Sequence, residues 1–143
     1  MRTNTSATLY NRYRGADGIE FRRAHIPAVQ WEPRKGANIL DSGLTSADAL
    51  RVYIPHGANV AGKSYVDPLA YAAKTPAKVG GYWTLSEGED YIVRGDVWPN
   101  KQVLTEAEMS QLKASVHECF KITTVDCKRF GSPRMWHWEV GAR

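Results

Sequence analysis

Short runs of alternating apolar and polar residues dominate the chain, and turn residues close most of them. "ATLYNRYR" (7–14) and "GIEFRRAHIPAVQWE" (18–32) meet across Gly15-Ala16-Asp17-Gly18, which predicts a β-hairpin on a tight Gly/Asp turn. The second run is long enough to bend. Pro27 has no N–H to give to a ladder, so it marks an edge or a break in pairing. "LRVYIP" (50–55) reads as a buried strand ended by Pro55, and "DYIVRGDVW" (90–98) as another. "FKITTVDCKRF" (120–130) and "RMWHWEVGA" (134–142) read as the last two strands, joined through Gly131-Ser132-Pro133. "ANILDSGLTSADA" (37–49) is ambiguous between a short strand and a polar loop.

One stretch has a different period. In "LTEAEMSQLKASVHECF" (104–120), Met109, Leu112, Val116 and Phe120 recur at three- and four-residue spacing, on one face of a helix. Thr105 can cap its start, and Glu108 three residues on completes a capping box, so a helix is expected at about 105–119. Residues 56–81 carry Gly, Pro and Lys throughout and predict a long inserted loop, with at most one helical turn around Pro68–Ala73. Loops of that length are uncommon and tend to be functional or disordered. The expected fold is mainly β: a single domain over 1–143, a small antiparallel β-barrel or sandwich with one packed α-helix.

Composition narrows the class without naming a function. The 143 residues are 43% hydrophobic and 24% charged, as in ordinary globular domains. No apolar run is long enough to cross a membrane, so no membrane contact is expected. The opening "MRTNTSATLYNRY" lacks the apolar stretch of a signal peptide, which points to the cytoplasm or an assembly built there. Cys119 and Cys127 are then expected to be free thiols. The net charge of +4 permits contact with nucleic acid, but basic and acidic residues are interspersed. The one tight basic cluster is Arg12, Arg14, Arg22 and Arg23 around the first hairpin, with Tyr10 and Tyr13 as the only stacking candidates.

The sharpest motif is "GANVAGKS" (57–64), which fits the phosphate-binding P-loop letter for letter. Lys63 and Ser64 should then open a helix aimed at the phosphates. Tyr65, Val66, Asp67 and Pro68 come next instead, and a single good helix does not make a nucleotide-binding α/β fold. A mobile Gly/Lys loop is the better reading. A metal site from His117, Cys119, Cys127 and His137 has the wrong spacing, because residues two apart on a helix do not face together. Nucleophilic combinations of Cys119, Cys127, His137, Asp126 and Glu139 across adjacent strands are the kind any β protein offers. No catalytic residue, cofactor or metal is assigned.

The last strand raises a separate question. Extended, it turns Trp136, Trp138 and Val140 one way and Met135, His137 and Glu139 the other. The first set is an apolar ridge, for a core or for an interface.

The blocks "TLYNRYRGADGIEFRRAHIPAVQWE", "VYIP", "GEDYIVRGDV" and "KITTVDCKRFGSPRMWHWEVGAR" together resemble small structural proteins from the head–tail cassette of tailed phages and prophages of Gram-positive bacteria. More distantly the layout resembles head-closure (stopper) proteins, small β-barrels with a long inserted loop and a final strand with an "HWE"-like signature. The resemblance covers most of the chain and is weakest over 56–80. It implies a non-enzymatic subunit of a homo-oligomeric ring, a hexamer or dodecamer, in the virion neck, assembled in the host cytoplasm. Its partners would be portal and adaptor proteins on the head side and tail terminator or tail tube proteins on the tail side. Tail terminator or tail-completion proteins are the alternative within this class. Outside it stand a small nucleic-acid-binding module and a P-loop-like nucleotide-binding protein. In such a ring, the loop carrying Lys63, Lys74 and Lys78 would face the channel and contact packaged DNA nonspecifically.

Overall fold

The structure, a computed structural model, describes residues 2–33 and 49–143; the ambiguous 37–49 stretch falls outside these but for Ala49. Among the described residues the strands are β1 (Thr5–Gly15), β2 (Gly18–Pro33), β3 (Leu50–Pro55), β4 (Ser64–Tyr65), β5 (Tyr82–Trp83), β6 (Tyr91–Arg94), β7 (Val103–Thr105), β8 (Cys119–Lys128) and β9 (His137–Ala142). The α-helices among the same residues are α1 (Pro68–Ala72) and α2 (Glu106–Ser115).

Six strands close on themselves in the order β1-β6-β8-β9-β3-β2, with β2 returning to β1. Every pair in the ring is antiparallel, which makes this a barrel, not a sandwich. With strict alternation, β1, β3 and β8 run in the same direction, so Gly15, Pro55 and Lys128 all lie toward one end of the barrel, the mouth.

The alternation read from the sequence is the alternation of barrel inside and outside. Leu9, Ile26, Trp31, Val52, Ile54, Ile92, Ile122 and Val140 are buried in the interior. The opposite face of β1, β2 and β6 is covered as well. Tyr10, Phe21 and Val93 pack there against Leu104 of β7 and Met109 and Leu112 of α2. Each such buried side chain contributes about 1.5–3 kcal/mol, enough to hold a short helix that would be marginal alone. The register shifts between Thr5↔Val29 and Ala7↔Ile26, so the ladder breaks around Pro27, as its missing N–H requires.

The run read as a strand over 90–98 is one only over Tyr91–Arg94, and two further boundaries differ from the sequence reading. The capping box is present, with Thr105 Oγ1 accepting from Glu108 N and Glu108 Oε1 accepting from Thr105 N. The helix, however, stops at Ser115 rather than 119. Val116 is already extended (φ −120°, ψ 143°), and Cys119 and Phe120 pair with Val93 and Ile92 of β6. Barrel closure outweighs the helical period there. At the other boundary, Pro133–Met135 form a single 3-10 turn, so β9 begins at His137.

The 56–81 excursion leaves the mouth at the end of β3. A tight turn with Ala61 and Gly62 at φ 53° and 72° brings Val60 against Lys63. β4 then pairs in parallel with β5. Asp67 Oδ1 accepts from Ala70 N to cap α1. Tyr71 and Val79 pack on Tyr13, covering the part of the hairpin that extends past the barrel.

Candidate functional site at the barrel mouth

The mouth is built by one rung of the barrel. Cys127 of β8 pairs with Trp138 of β9, which pairs with Ile54 of β3. Directly opposed residues point to the same side, here inward. His56, two residues after Ile54, is fixed by its N–H donating to the Trp136 carbonyl at 3.0 Å. Its ring lies flat on Trp138, with centroids 4.0 Å apart and planes at 29°. The same ring puts Nε2 at 3.3 Å from the Cys127 Sγ. Burial, with help from Arg129 and His137, holds the imidazole below its ordinary pKa and so favours the neutral ring.

Trp138 also meets Trp83 edge-on at 5.2 Å and Tyr65 at 4.7 Å, and Tyr65 meets Trp83 at 5.0 Å. The β4–β5 pairing delivers the last two, since Tyr65 and Trp83 are partners in that short ladder. Beside this aromatic plug is a cleft of about 300 Å³. Tyr65, Pro68, Leu85, Val125 and Trp138 wall it, and Cys127 and Glu87 also face it. Glu87 is held by accepting from Val125 N at 2.8 Å.

The segment after Trp83 crosses to the β1 side, where the chemistry is polar. Asn11 clasps Thr84 at both ends, donating to its carbonyl (2.7 Å) and accepting from its N–H (3.1 Å). Asp90, fully buried, accepts from Arg12 N (2.9 Å), Asn11 Nδ2 (2.8 Å) and Ser86 N (2.9 Å). Burial pushes its carboxyl up to about 7, against the pull of those three donors.

The residues singled out from sequence are dispersed. Trp138 and Val140 are buried in the barrel, whereas Trp136 is half-buried at the rim under Arg129. β9 is paired on both sides, so it has no free edge. His137 and Glu139 point outward, toward the Tyr53 ring and the Arg51 guanidinium respectively. Cys119 and Cys127 are free thiols near opposite ends of β8. Burial pushes the Cys119 thiol up to about 11. Among the described residues, no three His, Cys, Asp or Glu side chains converge as a metal site.

The P-loop match does not fold as one. Lys63 and Ser64 lead into a strand rather than a helix, and Lys63 Nζ donates to the Gly80 carbonyl at 3.0 Å. Burial lowers the Lys63 pKa, with Arg22 and Arg23 adding to the effect. Lys74 sits over the Tyr82 ring at 4.3 Å, and Lys78 is exposed. In the arginine cluster, Arg12 pairs with Glu89, Arg22 with Glu20 and Arg23 with Asp96. Tyr10 and Tyr13 are buried and present no face for base stacking.

Sequence reasoning missed His56, Asn11 and Asp90. His56 and Cys127 are 71 residues apart and meet only through the register of β3 and β8 on β9, which no spacing announces. No curated protein and no solved structure is significantly similar to the chain. A family match does extend over residues 2–143: the chain belongs to DUF6751, a family of unknown function.

Proposed function

We propose that the chain is a non-enzymatic structural protein of a tailed-phage virion, a ring subunit at the head–tail junction that closes the head and receives the tail. The block-level sequence resemblance motivates the reading. The observation that carries it is where the large exposed apolar side chains stand. Phe130 (75% exposed) and Met135 (62%) crown the β8–β9 connection at the mouth, and Leu69 (85%) stands on α1. Lys128, Arg129 and Arg134 flank the first two, with no acidic residue between Asp126 and Glu139. A projecting basic and apolar tip, with a separate apolar side chain on another element, suits a head-to-tail contact, in which two different patches of one chain meet. A closed barrel supplies the rigid body for such a ring.

Lys74 and Lys78 of the 56–81 excursion remain candidates for contact with packaged DNA, whereas Lys63 is committed to Gly80. A tail terminator or tail-completion role would use the same surfaces at a neighbouring station. The deciding experiment is a cryo-EM map of the neck of particles whose genome encodes this chain. A ring of this barrel between the portal assembly and the tail tube is expected, with the 129–136 tips at subunit contacts. Absence of the chain from the particle overturns the proposal.

A further inference from the structure

We propose that Cys127, His56 and the adjoining cleft form a thiol modification site, which takes a small, neutral, largely apolar disulfide and links its retained half to the Cys127 sulfur. This inference is independent of the virion reading.

Three observations converge on it. Cys127 is exposed and lines the cleft. His56 Nε2 is 3.3 Å from that sulfur, and two contacts hold the ring in place: the Trp138 stack and the His56 N–H bond to the Trp136 carbonyl. A neutral imidazole with its hydrogen on Nδ1 accepts the S–H proton at Nε2. The cleft beside the sulfur is of small-molecule size, with Tyr65, Leu85, Val125 and Trp138 for an apolar group to lie against. Glu87 in the same wall disfavours an anionic reagent.

The step balances. The Cys127 sulfur bonds to one sulfur of the incoming disulfide while its proton passes to His56. The reagent's S–S bond breaks, and the departing thiolate takes the proton back from the imidazolium. One disulfide is consumed, one mixed disulfide is formed and one free thiol leaves. The charged and titratable groups around the pair are Arg129 and His137 near the imidazole, Glu87 and Tyr65 at the cleft, and Asp67 beyond Tyr65. Cys119 is the internal control, since it is half-buried on the same strand without a histidine contact among the described residues.

The test uses the whole folded chain and dipyridyl disulfide, a neutral aromatic probe whose released thiopyridone is followed by absorbance. In a Cys119→Ser background, Cys127 is expected to react at least about tenfold faster than Cys119 does in a Cys127→Ser background. His56→Gln should then slow Cys127 by at least about tenfold, less than the roughly 10²–10⁴-fold that a well-positioned base supplies. A rate within twofold of the parent overturns the role of His56. Because that substitution also removes the stack on Trp138, Glu87→Gln provides a second reading that leaves the pair intact. It should speed the dicarboxylate nitrobenzoate disulfide severalfold relative to the dipyridyl probe. An unchanged ratio of the two probes overturns the cleft as the place of entry.

Discussion

On the β1 side of the mouth, the segment from Thr84 to Asp90 is tied by hydrogen bonds aimed by Asn11 and Asp90. On the β9 side, Trp83 and Tyr65 close the barrel by leaning on Trp138, chiefly through ring contacts. The polar side leaves no room: Asn11, Thr84 and Asp90 are all buried. The aromatic side leaves a cleft and an exposed thiol at its rim. Directional bonds fix a single position for the backbone they hold, because a half-made polar network in a buried place is costly. The cleft lies on the side closed by aromatics, where rings of fixed shape pack with a gap between them.

The largest break in this contrast is Asp90→Ala. It strands three N–H donors in a buried site, and urea unfolding should show a loss of about 3–5 kcal/mol. Asp90→Asn should cost less, about 1–3 kcal/mol, because one amide hydrogen pair then faces a backbone donor. Next in size is Tyr65→Ala, on the aromatic side. Tyr65 is only half-buried, so the expected loss is about 1–2 kcal/mol, accompanied by faster modification of Cys127 as the cleft widens. The order itself is informative: a Tyr65→Ala cost equal to that of Asp90→Ala would erase the distinction between the halves.

Acidity sharpens the comparison further. The Asp90 carboxyl titrates near 7 in the fold, against about 3.9 in an unfolded chain. The unfolded state therefore ionises first as pH rises. Stability linked to Asp90 is fully present below about pH 4, falls as pH rises toward 7 and levels off above it. Unfolding midpoints between these limits should decline in the parent and flatten in Asp90→Asn. The smallest effect is expected from Leu69→Ser and Phe130→Ser, which touch neither half. Each should leave the unfolding free energy of the isolated chain within about 0.5 kcal/mol of the parent, although the proposed ring needs both side chains.

How far the sequence discloses this molecule depends on the range of each interaction. β1, β2, β3 and β8 are legible because alternation is a local consequence of the pleat, and the start of α2 is legible because a capping box spans four residues. The end of α2 is not. Val116 and Phe120 continue the helical period, and only the ladder from β6 to Cys119 and Phe120 cuts it short. "GANVAGKS" fits a phosphate cradle by letter, but the residues that follow it already read against one. A Gly/Lys pattern serves a tight turn as well as a phosphate cradle, and the strand that begins at Ser64 settles it as a turn. The two halves of the mouth were the least legible, since Asn11 and Asp90 are 79 residues apart and His56 and Cys127 are 71 apart. Those meetings are set by barrel register, which is a property of all six strands at once.

Closure of the six-stranded ring has a further consequence, for life at high concentration. An open sheet of this size would offer two long rows of unpaired N–H and C=O groups, a template on which further copies could stack into fibres. Here each long strand has neighbours on both sides, and β7, attached outside the ring, is only three residues long and runs straight into α2. Among the described residues, the closed ring therefore withholds that template.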